Sequence, residues 1–176
     1  GPLFLQEWEK FPLVDHFILN EGELTLPDFI HDLGMGTPRR LYQSTEFAEM
    51  SCSPMPMWEL VNLKRYDSLS IQYSRGCPFD CEFCSVHPIC GRKWRARSAN
   101  HVLEEITFLV ENHGIRNLEF EDDNFTLNRG RAAQILEGIC RLNERGAGLS
   151  WKTPNGIRID TLDSEFINLM KRANCA

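Results

Sequence analysis

Hydrophobic and polar positions in the second half of the chain follow two alternating periods. In three short runs the period is two. Leu69, Ile71 and Tyr73 alternate with Ser70, Gln72 and Ser74; Leu118 and Phe120 with Asn117, Glu119 and Glu121; Leu149 and Trp151 with Ser150 and Lys152. Successive side chains of a strand point to opposite faces, so each run predicts a strand with one apolar and one polar face. The strands are predicted over 69–74, 115–121 and 149–153. Between them the period lengthens to that of a helix. Val102, Ile106, Leu109 and Val110 recur behind Ser98, a good cap, and ahead of Gly114, a good stop. Ala132, Ile135, Leu136, Ile139 and Leu142 mark a second helix over 128–145, closed by Gly146. A third is predicted from Asp163, with Phe166, Ile167, Leu169 and Met170 turned inward.

Repeated strand–helix units predict an α/β fold with parallel strands and right-handed crossovers. The polar face is informative. A parallel sheet covered on both sides is apolar nearly throughout, and the lumen of an ordinary (β/α)8 barrel is filled with branched apolar side chains. Here the apolar face is expected to pack on the helices and the polar face to line a space holding ligand and water. The competing expectation is a half-exposed sheet of a partial protein.

The first third of the chain reads differently. Val14 to Leu19 predicts a short strand and Asn20-Glu21-Gly22-Glu23 a turn. Thr25 then caps a helix running from Leu26-Pro27 to Leu33, with Gly34 and Gly36 ending it. Such a strand–turn–helix unit occurs in doubly wound folds. Arg39 to Arg65 reads as a connector, extended at Ser53-Pro54-Met55-Pro56-Met57 because each proline restricts itself and its predecessor. Trp58, Leu60 and Leu63 are expected to pin it to a core. Gly1 to Leu5, without an initiator methionine, reads as cut rather than begun, its Gly-Pro either a cloning scar or the native sequence of a longer chain.

Composition narrows the class. A hydrophobic share of 42% and a charged share of 25% are those of a soluble globular protein. The net charge of −6 argues against nucleic acid as main partner, despite a basic run from Arg92 to Arg97. That run reads either as a solvated loop or as a contact for an anionic ligand. No apolar run approaches the ~18 residues of a membrane span. The 7 cysteines are grouped as ligands, which points to a reducing, cytoplasmic compartment. Cys140 lies on a helical apolar face and reads as a small core residue.

The chemistry concentrates in Cys77-Pro78-Phe79-Asp80-Cys81-Glu82-Phe83-Cys84. Arg75-Gly76 breaks the preceding strand, so the thiols fall on a loop at its carboxyl end. A loop can aim several thiolates at one centre, and soft thiolates suit an iron–sulfur cluster or zinc. Three tightly spaced ligands would leave one corner of a cluster free. The zinc reading takes Cys90 or His87 as fourth ligand and makes the protein a zinc-stabilised interaction module; zinc sites favour paired C-x2-C units, and only Cys81/Cys84 makes one. A simple iron–sulfur electron-transfer protein is the other alternative.

The C-x3-C-x2-C spacing, with an aromatic before the third cysteine, resembles the cluster loop of the radical S-adenosylmethionine (SAM) enzymes. The resemblance implies that Cys77, Cys81 and Cys84 hold a [4Fe–4S] cluster. SAM would bind its open iron and be cleaved to a 5′-deoxyadenosyl radical. It implies a partial (β/α)6 TIM-like barrel, of which this chain covers the first half. Phe83 matches the aromatic whose backbone faces adenine. Glu119-Phe120-Glu121-Asp122-Asp123-Asn124 occupies the place of the family's Gly-Gly-Glu segment, without its glycines. Glu121 and Asp122 are thereby the candidates to meet the amino group of methionine. Asn155 and Arg158 follow strand three, where members place polar contacts to SAM; an Arg fork suits a carboxylate. The strand–turn–helix unit before the connector is similar to the tail of the Rossmann-like cobalamin-binding domain of one branch of the family, although the Asn20 turn departs from its pattern. The Asp-x-His-x-x-Gly cobalt-ligand motif is absent. The division implied is 1–38 for that tail, 39–66 for a linker and 67–176 for the radical SAM core. A small-molecule substrate and a flavodoxin- or ferredoxin-type electron donor are the implied partners. Cobalamin-dependent methylation of an unactivated carbon is the implied outcome for the longer protein.

Overall fold

The computed structural model describes residues 7–176; Gly1 to Leu5, read above as a cut, lie outside the described residues. Contacts divide the chain into two compact units. One comprises the residues up to Ser53 together with Gly76–Trp94, the other Pro54–Arg75 together with Arg95–Ala176.

In the first unit, β1 (Phe17–Ile18) leads into α1 (Gly22–Gly34) and then β2 (Leu41–Tyr42). β1 and β2 pair in parallel, Phe17 opposite Leu41. The helix starts earlier than its sequence suggests. Asn20 takes the left-handed conformation at φ 67°, which turns the chain so that α1 begins at Gly22. Thr25 is therefore not a cap. It is buried in the helix, and its hydroxyl donates to the carbonyls of Leu19 and Glu21. The connector contributes β2, an element the sequence reading lacked. The unit also holds the short α2 (Val86–Cys90).

The second unit is built on a parallel sheet of β3 (Leu69–Ile71), β6 (Asn117–Phe120) and β7 (Ser150–Lys152), in that order. Leu69 sits opposite Leu118, and Leu118 opposite Trp151. Between β3 and β6 lie β4 (Ser74–Arg75), β5 (Arg95–Ala96) and α3 (Ala99–His113); α4 (Arg129–Glu144) joins β6 to β7, and α5 (Ser164–Arg172) follows. The helix termini follow the sequence signals. Ser98, Asn128 and Asp163 each accept the backbone N–H three residues on, and Gly114 closes α3 in the left-handed conformation. Cys175 then pairs in parallel with Trp151 on the free edge of β7.

The two faces of the sheet separate as the alternation predicts. Leu69, Ile71, Leu118, Phe120, Leu149 and Trp151 are buried, as are Val102, Ile106 and Leu109 of α3 and Ile135, Leu136 and Ile139 of α4. Phe120, Phe125, Trp151 and Tyr73 form one aromatic cluster, with Phe120 and Phe125 centroids 4.6 Å apart. Cys140 is buried, in keeping with a core role, and burial raises its thiol pKa. Gly138 lets α3 and α4 close up: a Cβ there would stand 2.2 Å from a Leu103 methyl.

Two inward assignments need correction, and so does the reading of the basic run. Ile167 is 51% exposed, while Phe166 is buried at 2%; α5 lays only one edge on the core, and Ile167 is rotated off it. Leu60 is 77% exposed, so the connector is held by Leu63 and by Trp58. The Trp58 indole donates to Glu105 at 3.0 Å. The basic run is not one patch. Arg92 pairs with Asp80 and Lys93 with Glu49, whereas Arg95 and Arg97 are buried. Arg97 pairs with the buried Glu105, a charge neutralisation that burial of both groups requires.

Candidate functional site

The three thiols lie on the Gly76–Trp94 segment. β4 and β5 pair antiparallel, Ser74 with Ala96 and Arg75 with Arg95, and so bring the two ends of that segment's neck together. Within the segment, the Cys77 amide donates to the Gly91 carbonyl at 3.3 Å. Gly76 has φ 85°, and a Cβ there would stand 2.5 Å from the Lys93 carbonyl oxygen and 3.0 and 3.1 Å from those of Gly91 and Cys90. Only glycine fits that cradle. Cys84 follows a tight turn, its amide donating to Cys81 at 3.0 Å. Asp80 accepts from Arg92 at 2.8 Å and lies 3.7 Å from His87; the Arg92 bond holds the Asp80 carboxyl below the usual range.

Cys77, Cys81 and Cys84 are all free thiols, Cys81 exposed and the other two half-buried. Among the described residues no three of His, Cys, Asp and Glu converge as the ligands of a single ion would. Convergence on one point is what zinc demands. The corners of an iron–sulfur cube each take one thiolate, so its ligands stand apart. The donor set fits a cluster: three soft ligands on one loop, with a neck too tight for any residue but glycine. Phe83, between the second and third thiols, is 93% exposed.

The second unit places the acidic strand end. Glu121 is half-buried, and its carboxylate accepts from Ser70 at 3.0 Å. Asp122 points the other way. Its side chain is fully buried, and it accepts from the Tyr73 amide, the Ser74 amide and the Ser74 hydroxyl. Burial drives its pKa up to about 7; the three donors pull it down, and the Asp123 charge adds to the rise. This capture explains why β3 is shorter than the alternation predicts. The amides that would extend the ladder go to Asp122 instead, and the chain leaves the sheet to form β4. Ser74 and Asp122 are 48 residues apart, and no local signal in the sequence joins them.

The polar face is a ladder rather than bare surface. Glu119 accepts from Ser68 at 2.7 Å and pairs with Lys152 at 2.8 Å, which holds its carboxyl below the ordinary range. The Ser150 hydroxyl donates to Asn117 at 2.9 Å. Beyond β7, Asn155 is exposed. Arg158 is half-buried, its guanidinium clasped by Asp160 through two nitrogens. Glu121 and Asp122 thus sit together in sequence but serve opposite faces, and Asn155 and Arg158 sit after the neighbouring strand. No described helix is long and apolar enough to cross a membrane.

A family model described as the Radical SAM superfamily matches residues 71–176. The chain is 38% identical over 125 residues to an uncharacterized methyltransferase of Synechocystis sp., covering 71% of this chain and 23% of that protein. It is 30% identical over 189 residues to an uncharacterized methyltransferase of Pyrococcus horikoshii, covering 93% of this chain and 39% of that protein. Among solved structures it resembles the cobalamin-dependent SAM radical enzyme OxsB with aqua-cobalamin bound, at a TM-score of 0.62 and 22% identity. That likeness covers 86% of this chain and 24% of OxsB. The chain therefore spans less than half the length of the curated relatives named here, and its mixed α/β fold matches a radical SAM enzyme.

Proposed function

This chain belongs to the Radical SAM superfamily, and on that premise we propose that it carries the cluster loop and the first half of the partial barrel of a cobalamin-linked radical SAM enzyme. Cys77, Cys81 and Cys84 would hold a [4Fe–4S] cluster, with SAM bound beside it. When bound, the cluster supplies the electron that cleaves SAM to a 5′-deoxyadenosyl radical able to take hydrogen from an unactivated carbon. The chain's own part is to bind, orient and exclude water. The Phe83 backbone faces adenine. Glu121, the acid turned to the open face, meets the amino group of methionine. Asp122 anchors the root of the loop rather than the ligand. Arg158 exchanges Asp160 for the SAM carboxylate, a swap between two bidentate partners, and Asn155 adds a polar contact.

In the longer protein, residues 1–38 end a Rossmann-like cobalamin-binding domain, 39–66 link it, and 67–176 begin the radical SAM core. The parallel order β3-β6-β7, continued by Cys175, supports the barrel reading. The substrate is a small molecule methylated through cobalamin, and a flavodoxin- or ferredoxin-type donor reduces the cluster in the cytoplasm.

The observation that carries this proposal is the set of free thiols on a loop rooted by Gly76. The test is anaerobic reconstitution of the intact protein, followed by SAM titration under electron paramagnetic resonance. Added SAM is expected to change the signal of the reduced cluster, and dithionite with SAM to yield 5′-deoxyadenosine. A colourless protein with one tight zinc ion, or a cluster spectrum indifferent to SAM, sinks it.

A further inference from the structure

We infer that the substrate is a polar, water-borne molecule rather than a lipid or another apolar polycycle. The inference rests on the barrel reading above, in which the polar face of the β3-β6-β7 sheet looks into the reaction space.

That face makes a chemical demand on anything covering it. It presents Ser68 just before β3 and Ser70 on it, Asn117, Glu119 and Glu121 along and just past β6, and Ser150 and Lys152 from β7. These groups are bonded to one another across the strands. Ser68 and Lys152 both reach Glu119, at 2.7 and 2.8 Å, and Ser70 reaches Glu121 at 3.0 Å. The bonds fix their positions but leave them wet: the Lys152 side chain is 53% exposed. An apolar ligand laid on this face would strip water from an ammonium and two carboxylates and replace none of the lost hydrogen bonds. A polar ligand replaces them.

The experiment uses the intact, cluster-loaded enzyme with dithionite and SAM. The readout is 5′-deoxyadenosine formed above the substrate-free rate. One arm adds the aqueous phase of a chloroform–methanol cell extract, the other the chloroform phase redispersed in detergent. Stimulation by the aqueous phase is expected. Stimulation by the chloroform phase alone, or by neither, overturns the inference.

A second arm compares the double variant Glu119→Gln/Lys152→Met. Stimulation by the aqueous phase, taken as a multiple of the variant's own substrate-free rate, is expected to fall roughly tenfold or more through lost charged hydrogen bonds. Unchanged stimulation in that variant overturns the role of the face. If the parent enzyme cleaves no SAM even without substrate, the proposed function fails, not the substrate class.

Discussion

Asp122→Asn changes one atom, and the structure says how stability should respond to pH. The Asp122 carboxyl is buried and its pKa is raised from 3.8 to about 7, chiefly by desolvation. The shift is an acid's pKa moved upward on folding. Between about pH 4 and about pH 7 the folded protein therefore holds a proton that the unfolded chain has released. Stability falls as pH rises through that window and levels off above it. Three pH units at about 1.36 kcal/mol each make a total loss of about 4 kcal/mol. Asparagine does not titrate, so this component vanishes. Its oxygen can still accept from the Ser74 amide and hydroxyl, but its amide nitrogen meets the Tyr73 N–H, donor against donor. That conflict removes roughly 1–3 kcal/mol at every pH. The parent is thus expected to be the more stable at pH 4 and the variant at pH 8, with the two curves crossing between. Urea unfolding of both proteins, followed at the transition that exposes Trp151, measures the difference. A constant displacement between parent and variant across pH would show that Asp122 stays ionised in the fold, and the reasoning would be wrong.

Other consequences follow from the packing. Glu105→Gln keeps an acceptor for Trp58 but leaves the buried Arg97 charge unpaired; a loss of about 3–5 kcal/mol is expected in the same urea assay. Replacing both partners with apolar residues should recover most of it. Gly76→Ala forces a Cβ against backbone carbonyl oxygens at positive φ, where no side chain can swing aside. Iron loading of the reconstituted protein should drop sharply, whereas Gly146→Ala, at φ 89° but with open space around it, should load normally. Phe166→Ala should destabilise by about 3–5 kcal/mol and Ile167→Glu by less than about 0.5 kcal/mol, as their 2% and 51% exposures require. Equal effects would refute the placement of α5.

Much of this architecture is local, and the sequence by itself determined it. A side-chain period of two or 3.6 depends only on backbone geometry, so the three strands, their two faces and the helices α3 and α4 are legible residue by residue. Caps are as local: Ser98, Asn128 and Asp163 act within one turn. The cysteine spacing likewise needs no fold to be read. What the sequence left open depends on partners far away along the chain. The early end of β3 is set by a carboxylate 48 residues downstream. The different roles of the adjacent acids Glu121 and Asp122 come from which face of the strand end each reaches. The basic run divides into surface pairs and a buried Arg97 because Glu105 lies on a helix packed beside it. Ile167 and Phe166 are neighbours with the same chemistry, and only the angle at which α5 meets the sheet separates them. Tertiary structure decides such matters because burial changes the free energy of a charge or a methyl group far more than any local propensity does.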